Sequence, residues 1–336
     1  MSIDTARLEP WLAANVPGFA GPVGIAPFAG GQSNPTFLLS APSGKYVLRR
    51  KPMGRLLPGA HAVDREFRVQ RALFGSPVPV ARVHALCEDD AVIGSMFYVM
   101  DYVDGRPPFD PHLPEMRADE RRAVYASMNE TIARLHMVDP ASVGLADFGR
   151  PGNYLARQIA RWSKQYRASE TEPIAAMDAL IDWLPRHIPA LDETRIVHGD
   201  YRIDNLILHR TAPSVAAVID WELSTLGDPL VDFACHVMVW RFTPDLFRGL
   251  AGSDLAALGI PDEREYVAAY CARTGRAVPA EWDYYLAFAM FRMAAISQGI
   301  MKRALDGTAA SGDAADWGRR ARPIAEQGWA LAQSLG

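Results

Sequence analysis

The chain has 336 residues, more than a single hydrophobic core usually serves, so two domains or lobes are expected. Hydrophobic residues make up 49% and charged residues 22%, the balance of a globular chain rather than a disordered one. The net charge is −4 and no long basic run occurs, which argues against a nucleic-acid or anionic-membrane partner and leaves any phosphate site to local groups.

In chain order, residues 5–15 (TARLEPWLAAN) suit a short amphipathic helix. Residues 23–52 divide into three short strands, with turns at AGGQSN (29–34) and PSG (42–44). A helix is expected over 59–74, where Val63, Phe67, Val69, Leu73 and Phe74 recur at helical spacing. Two strands follow, ARVHALCED (81–89) and AVIGSMFYVMDYVDG (91–105). The apolar run 91–100 is too short to span a bilayer and is expected to be a buried strand.

From about 114 the pattern turns helical: 114–139, 153–169 and 173–189, then 262–275, 281–305 and a last segment near 313–334. Short strands and turns interrupt at 197–210 and 214–229. A strand-rich front and a helix-rich back make the expected class α+β. Cys87, Cys235 and Cys271 are far apart and follow no metal spacing, as thiols in a reducing compartment do. MSIDTARLEP lacks the basic and apolar regions of a signal peptide, so the expected location is cytoplasmic.

The stretch VHGDYRIDNLILHR (197–210) carries the chemistry. Ionisable groups are costly among Val, Ile and Leu unless they are paired or used. Asn205 follows Asp200 by five residues, and Asp220 ends the apolar run VAAVID twenty residues after Asp200. Phosphoryl transfer needs a carboxylate beside the attacking hydroxyl and oxygen ligands for magnesium. Asp200 fits the base, and Asn205 and Asp220 fit the metal ligands. The alternative is that all three cap turns. Asp204 fits a turn residue better than the base.

HGDYRIDN followed by VIDWE, with the later GDPLVDFA (227–234), resembles the catalytic core of the aminoglycoside phosphotransferase family, a branch of the protein-kinase-like fold. GGQSNPTFLL and HAVDREFRVQRAL are similar to the kinase-like domains found alone in bacteria or fused to acyl-CoA dehydrogenases. The resemblance implies a bilobal protein-kinase-like fold. It places 1–101 in a strand-rich nucleotide-binding lobe and 102–336 in a helical lobe with the catalytic loop and acceptor site. It also implies ATP and Mg²⁺ as cofactors and a small-molecule hydroxyl acceptor.

Within that frame AGGQSN stands where the family's nucleotide loop lies, with Gly30, Gly31 and Ser33 facing phosphate oxygens. YVLR (46–49) stands where kinases carry the phosphate lysine, so Arg49 is the expected contact and Lys51 the alternative. Alternation puts Val47, Arg49 and Lys51 on one face. Glu66 is the expected ion-pair partner; otherwise it is an exposed helix residue pairing with Gln70. The inter-lobe linker Met100, Asp101, Tyr102 and Val103 is expected to bond the adenine. His198 is expected to hold the loop by hydrogen bonds, and Asp228, before Pro229, to cap a turn or the next helix with Asp232 in its first turns, both supporting the loop. Arg292, Trp162 and Tyr166 are either packing residues or lie near the acceptor.

The basic segment RQIARWSKQYR (157–167) disfavours a polycationic aminoglycoside. The narrower resemblance implies a hydroxyacyl compound or its CoA ester as acceptor. The alternatives are an aminoglycoside phosphotransferase, a catalytically silent nucleotide-binding module and a metal-dependent phosphohydrolase.

Overall fold

A computed structural model describes residues 3–28, 34–53, 62–309 and 312–335. The chain forms two compact units, and both are discontinuous in sequence. The first comprises Met1–Pro107 with Asn205–Ser224; the second comprises Pro108–Asp204 with Thr225–Gly336. Strands dominate the first and helices the second, so the class is α+β. No helix among the described residues is long and apolar enough to cross a membrane.

The first unit opens with helix α1 (Thr5–Asn15), whose cap Asp4 accepts a hydrogen bond from the Ala6 N–H. Strands β1 (Gly24–Pro27), β2 (Thr36–Ala41) and β3 (Gly44–Arg50) follow, then helix α2 (Val63–Leu73) and β4 (Val83–Cys87). The helical turn α3 (Asp90–Ile93) precedes β5 (Phe97–Asp101). These strands form one antiparallel sheet in the order β1-β2-β3-β5-β4. Alternation sorts its side chains. Leu48, Phe97 and Val99 pack with Leu8 and Leu12 of α1, while Val47, Tyr98 and Met100 pack with Val63 of α2. Arg49 shares the face of Val47, so it meets α2. A second small sheet joins β6 (Gly105–Arg106), β8 (Leu206–His209) and β9 (Val215–Val218).

The apolar run 91–100 is not one strand. Asp89 accepts a hydrogen bond from the Ala91 N–H and starts α3, and Gly94 ends it in the left-handed region at φ 85°. Local capping outweighs the apolar pattern until Phe97.

The second unit holds α4 (Ala118–Met137), α5 (Tyr154–Ser169) and α6 (Ala175–Trp183). The short strands β7 (Arg195–Val197) and β10 (Thr225–Gly227) pair antiparallel. Helix α7 (Pro229–Val237), two single turns α8 (Pro244–Phe247) and α9 (Leu255–Leu258), and α10 (Glu263–Thr274) follow. Helix α11 (Trp282–Leu305) packs against α5, α7, α12 (Ala314–Gly318) and α13 (Ala321–Ser334). Its buried positions include Leu286, Ala287, Phe288, Phe291, Ala294 and Ala295, so much of its surface is core. The final segment is two helices rather than one.

Candidate active site

In the first unit, α2 turns Glu66 onto the β3 face, where it is fully buried. The Arg49 guanidinium forks onto it, with Nε 2.7 Å from Oε2 and a terminal nitrogen 3.1 Å from Oε1. Glu66 also accepts from the Asn34 amide at 2.8 Å and from the Tyr98 hydroxyl at 2.9 Å. Three hydrogen bonds and the ion pair with Arg49 hold a buried carboxylate in a single orientation. Gln70 does not pair with the Glu66 carboxylate; its amide donates to the Glu66 main-chain carbonyl and to Tyr98. Lys51 lies one residue beyond β3, with its N–H on the Met96 carbonyl. Arg49 is therefore the basic residue that pairs with Glu66.

The same guanidinium reaches Asp220 at 2.5 Å. Burial opposes the Arg49 charge, but Glu66, with Tyr98 and Asp220 behind it, outweighs burial and raises the Arg49 pKa above its ordinary value. Asp220 adopts a left-handed backbone, φ 65°, ahead of the turn Trp221–Leu223. Such a conformation in a non-glycine residue persists where its surroundings hold it. Here Trp221 is fully buried and donates its indole N–H to the Val218 carbonyl.

Asp220, Glu66 and Glu222 offer carboxylate oxygens within 4.8 Å of one another. The Asn34 amide also donates to Glu222, at 3.2 Å. An all-oxygen group of this kind suits a hard divalent cation, so the residues fit Mg²⁺. Asn205 is buried and joins the end of β9 through its main-chain carbonyl, which accepts from the Ile219 N–H at 2.9 Å. Sequence reasoning did not single out Asn34 or Glu222. The first closes AGGQSN and the second closes VIDWE, so both motifs marked the neighbourhood, but the contact joins residues 188 apart.

Met100 and Asp101 close β5. The Asp101 N–H goes to the Arg82 carbonyl and the Tyr102 N–H to the Lys45 carbonyl. The Val103 N–H has no main-chain partner among the described residues. Gly30, Gly31 and Ser33 lie outside the described residues.

In the second unit, the loop after β7 carries Asp200. Gly199 has φ 83°, a conformation that favours glycine. Asp232, in the first turn of α7, accepts from the N–H groups of His198 (2.7 Å) and Gly199 (2.8 Å). His136 lies 3.1 Å from Asp232 and 2.7 Å from the Tyr270 hydroxyl. Burial alone would raise the Asp232 pKa; His136 and the two amides outweigh it and hold the carboxyl below its ordinary value. Burial lowers the His136 pKa, with the Asp232 carboxylate acting against it. The His198 Nδ1 accepts from the Asp200 N–H at 3.2 Å.

Arg292 donates to the Gly199 carbonyl at 2.6 Å and stands over Trp162. Arg292 and Asp232 thus grip the loop from opposite polarities. Asp228 caps α7 by accepting from the Leu230 N–H at 2.8 Å. The Asp200 carboxylate is about one third exposed and lies 3.1 Å from Arg202.

The sequence profile described as "Phosphotransferase enzyme family" matches residues 24–285. The chain is 45% identical over 319 residues to mouse acyl-CoA dehydrogenase family member 10, covering 94% of this chain and 30% of that protein. It therefore spans about a third of that relative's length. A Ralstonia eutropha crystal structure, provisionally named an aminoglycoside phosphotransferase, is 56% identical with a TM-score of 0.92, covering 99% of both chains. An aminoglycoside phosphotransferase in ternary complex with AMP-PNP and hygromycin B is 16% identical with a TM-score of 0.62. It covers 93% of this chain and 95% of that one, a likeness of fold.

Proposed function

The chain belongs to the phosphotransferase enzyme family, and from that premise we propose that it transfers the γ-phosphoryl group of ATP to a hydroxyl of a small metabolite with Mg²⁺ bound. The observation that supports this reading is the Arg49, Glu66 and Asp220 group, in which a strand, a helix and a turn bring one guanidinium and two carboxylates together. In this reading the first lobe, 1–101, binds the nucleotide. Gly30, Gly31 and Ser33 take phosphate oxygens, and Arg49 takes the α and β phosphates with Glu66 orienting it. Lys51 is the second cation. Met100 to Val103 bond the adenine through their backbone.

Asp200 accepts the proton of the acceptor hydroxyl as the oxygen forms its bond to the γ-phosphorus. The bond from that phosphorus to the bridging oxygen breaks, and ADP leaves with the electron pair. Asn205 and Asp220 are the residues that would hold Mg²⁺, with Glu222 beside Asp220. When bound, the ion neutralises phosphate charge. Arg202 and the grip of Asp232 and Arg292 keep Asp200 in place, so positioning is built before substrate arrives.

Asp200→Asn is expected to lower kcat by about 10²- to 10⁴-fold, the usual range for a lost general base, with Mg-ATP affinity unchanged by calorimetry. Retention of the full rate overturns the assignment. The finer proposal, from the 45% identical relative and the basic 157–167 segment, is a hydroxyacyl compound or its CoA ester as acceptor, in the cytoplasm. A panel of hydroxy acids, their CoA thioesters and aminoglycosides tests it. Turnover of aminoglycosides alone would discard it.

A further inference from the structure

Within the second unit, a cavity of about 50 Å³ lies against the segment that follows Asp200. On the same measure one water occupies roughly 10–15 Å³, so the cavity has room for roughly three to five water-sized groups. Its apolar wall includes Met128, Val239, Trp240 and Phe247. Its charged wall is Arg202, Asp204 and Arg248. Arg202 touches both Asp200 (3.1 Å) and Asp204 (3.3 Å), and Arg248 touches Asp204 (3.1 Å). Both carboxylates already carry a guanidinium. A polycation would have to displace these pairs, whereas a hydrocarbon needs no such exchange.

Arg248 adds an independent sign. Its backbone is left-handed, φ 50° and ψ 42°, which is costly for a residue with a side chain. Its guanidinium is fixed by Asp204, by the Phe109 carbonyl at 2.9 Å and by the Phe109 ring at 4.0 Å. Its Nε is buried without a hydrogen-bond partner among the described residues. An unpaired buried donor is unfavourable, and a shift of the Arg248 side chain that brings it an oxygen relieves that cost.

We propose that this cavity is an acceptor subsite that takes a short aliphatic segment, with Arg248 donating to a carbonyl or carboxylate oxygen on that segment. The proposal rests on the phosphotransfer reading and deepens it, by placing the acceptor's hydrocarbon on the Trp240 and Phe247 side of the Asp200 loop. A methylene and a water take up similar volumes, so the cavity suits roughly three to five chain carbons.

The test uses the full chain and two probe series, straight-chain hydroxycarboxylic acids of increasing length and the matching diols. Binding is followed by calorimetry and transfer by ADP release. Affinity of the acids is expected to rise about fourfold per buried methylene and then level off. Val239→Phe fills the cavity and should bring the plateau to shorter chains, with Mg-ATP affinity unchanged. Arg248→Gly removes the donor at a position whose backbone suits glycine, so the fold is retained. It should weaken the acids about tenfold and the diols much less.

An unchanged length profile in Val239→Phe, equal losses for acids and diols in Arg248→Gly, or no binding by any member overturns the proposal. If the profile shifts as expected but no member accepts phosphate from ATP, the subsite stands and the phosphotransfer reading falls. Transfer with a flat length profile removes the subsite and leaves the phosphotransfer reading standing.

Discussion

Glu66 shows how one buried carboxylate organises its surroundings. It accepts from Arg49, Asn34 and Tyr98 with no exposed surface, and Arg49 in turn reaches Asp220. Glu66→Gln keeps the shape and removes the charge. The amide nitrogen of Gln then meets donors where an oxygen stood. We expect a loss of about 1–3 kcal/mol in stability, read from the urea midpoint. The ATP KM should rise about tenfold while kcat changes less, because the Arg49 fork loses its counter-charge and its fixed orientation. A KM equal to that of the unaltered chain would show that Arg49 does not depend on Glu66. Legibility is uneven at this scale. Strand alternation puts Arg49 and Lys51 on one face and leaves both open; the choice of Arg49, with Glu66 as its partner, comes with the family resemblance. Asn34 and Glu222 follow from neither, because their contact closes a loop of 188 residues.

Helix α7 carries two acidic residues in different electrostatic settings. Asp232 is buried but richly donated to, and its pKa falls; Asp228 is buried with fewer donors, and its pKa rises to about 7. The consequence for pH has a definite sign. The unfolded Asp228 carboxyl ionises near its ordinary 3.8 and the folded one near 7, so the folded chain keeps the proton across that window. Its contribution to stability is whole below 3.8 and is lost as pH rises through 7. Asp228→Asn keeps a good helix cap and removes the ionisation. Thermal melts from pH 4 to 8 should show the variant gaining on the unaltered chain by on the order of 3 kcal/mol across the window. A pH-independent difference would sink this account. The cap and the first-turn acid were legible in GDPLVDFA; their opposite titration was not, because it depends on which amides and imidazoles surround each carboxylate.

At the scale of the molecule, the groups assigned to one reaction come from two units that alternate along the chain. The boundary falls between Asp204 and Asn205, inside the motif itself. A ligand that binds the folded chain and not the unfolded one adds to its stability. Mg-ATP at about one hundred times its Kd is expected to add about 2.7 kcal/mol. Asp220→Asn should abolish the magnesium-dependent part of the melting-temperature shift and leave the magnesium-free nucleotide shift nearly intact. An undiminished magnesium effect would remove Asp220 from the metal site.

The sequence by itself determined the α+β class, most helices, the Asp200, Asn205 and Asp220 motif and the Arg49 strand. The class and the helices rest on short-range periodicity, the Asp200 and Asn205 pair on fixed spacing within one loop, Asp220 on its place at the end of the next apolar run, and Arg49 on the family resemblance. Tertiary structure alone decided that Arg49 rather than Lys51 pairs with Glu66, that Asn34 and Glu222 join the carboxylate group, and that Asp232 and Arg292 grip the Gly199 loop. It also broke the apolar run 91–100 with a capped turn and gave Arg248 its left-handed backbone beside a cavity. Periodicity reports which face of an element is apolar. It does not report which distant donors a buried polar group finds, and that pairing is settled only when the whole chain has closed around it.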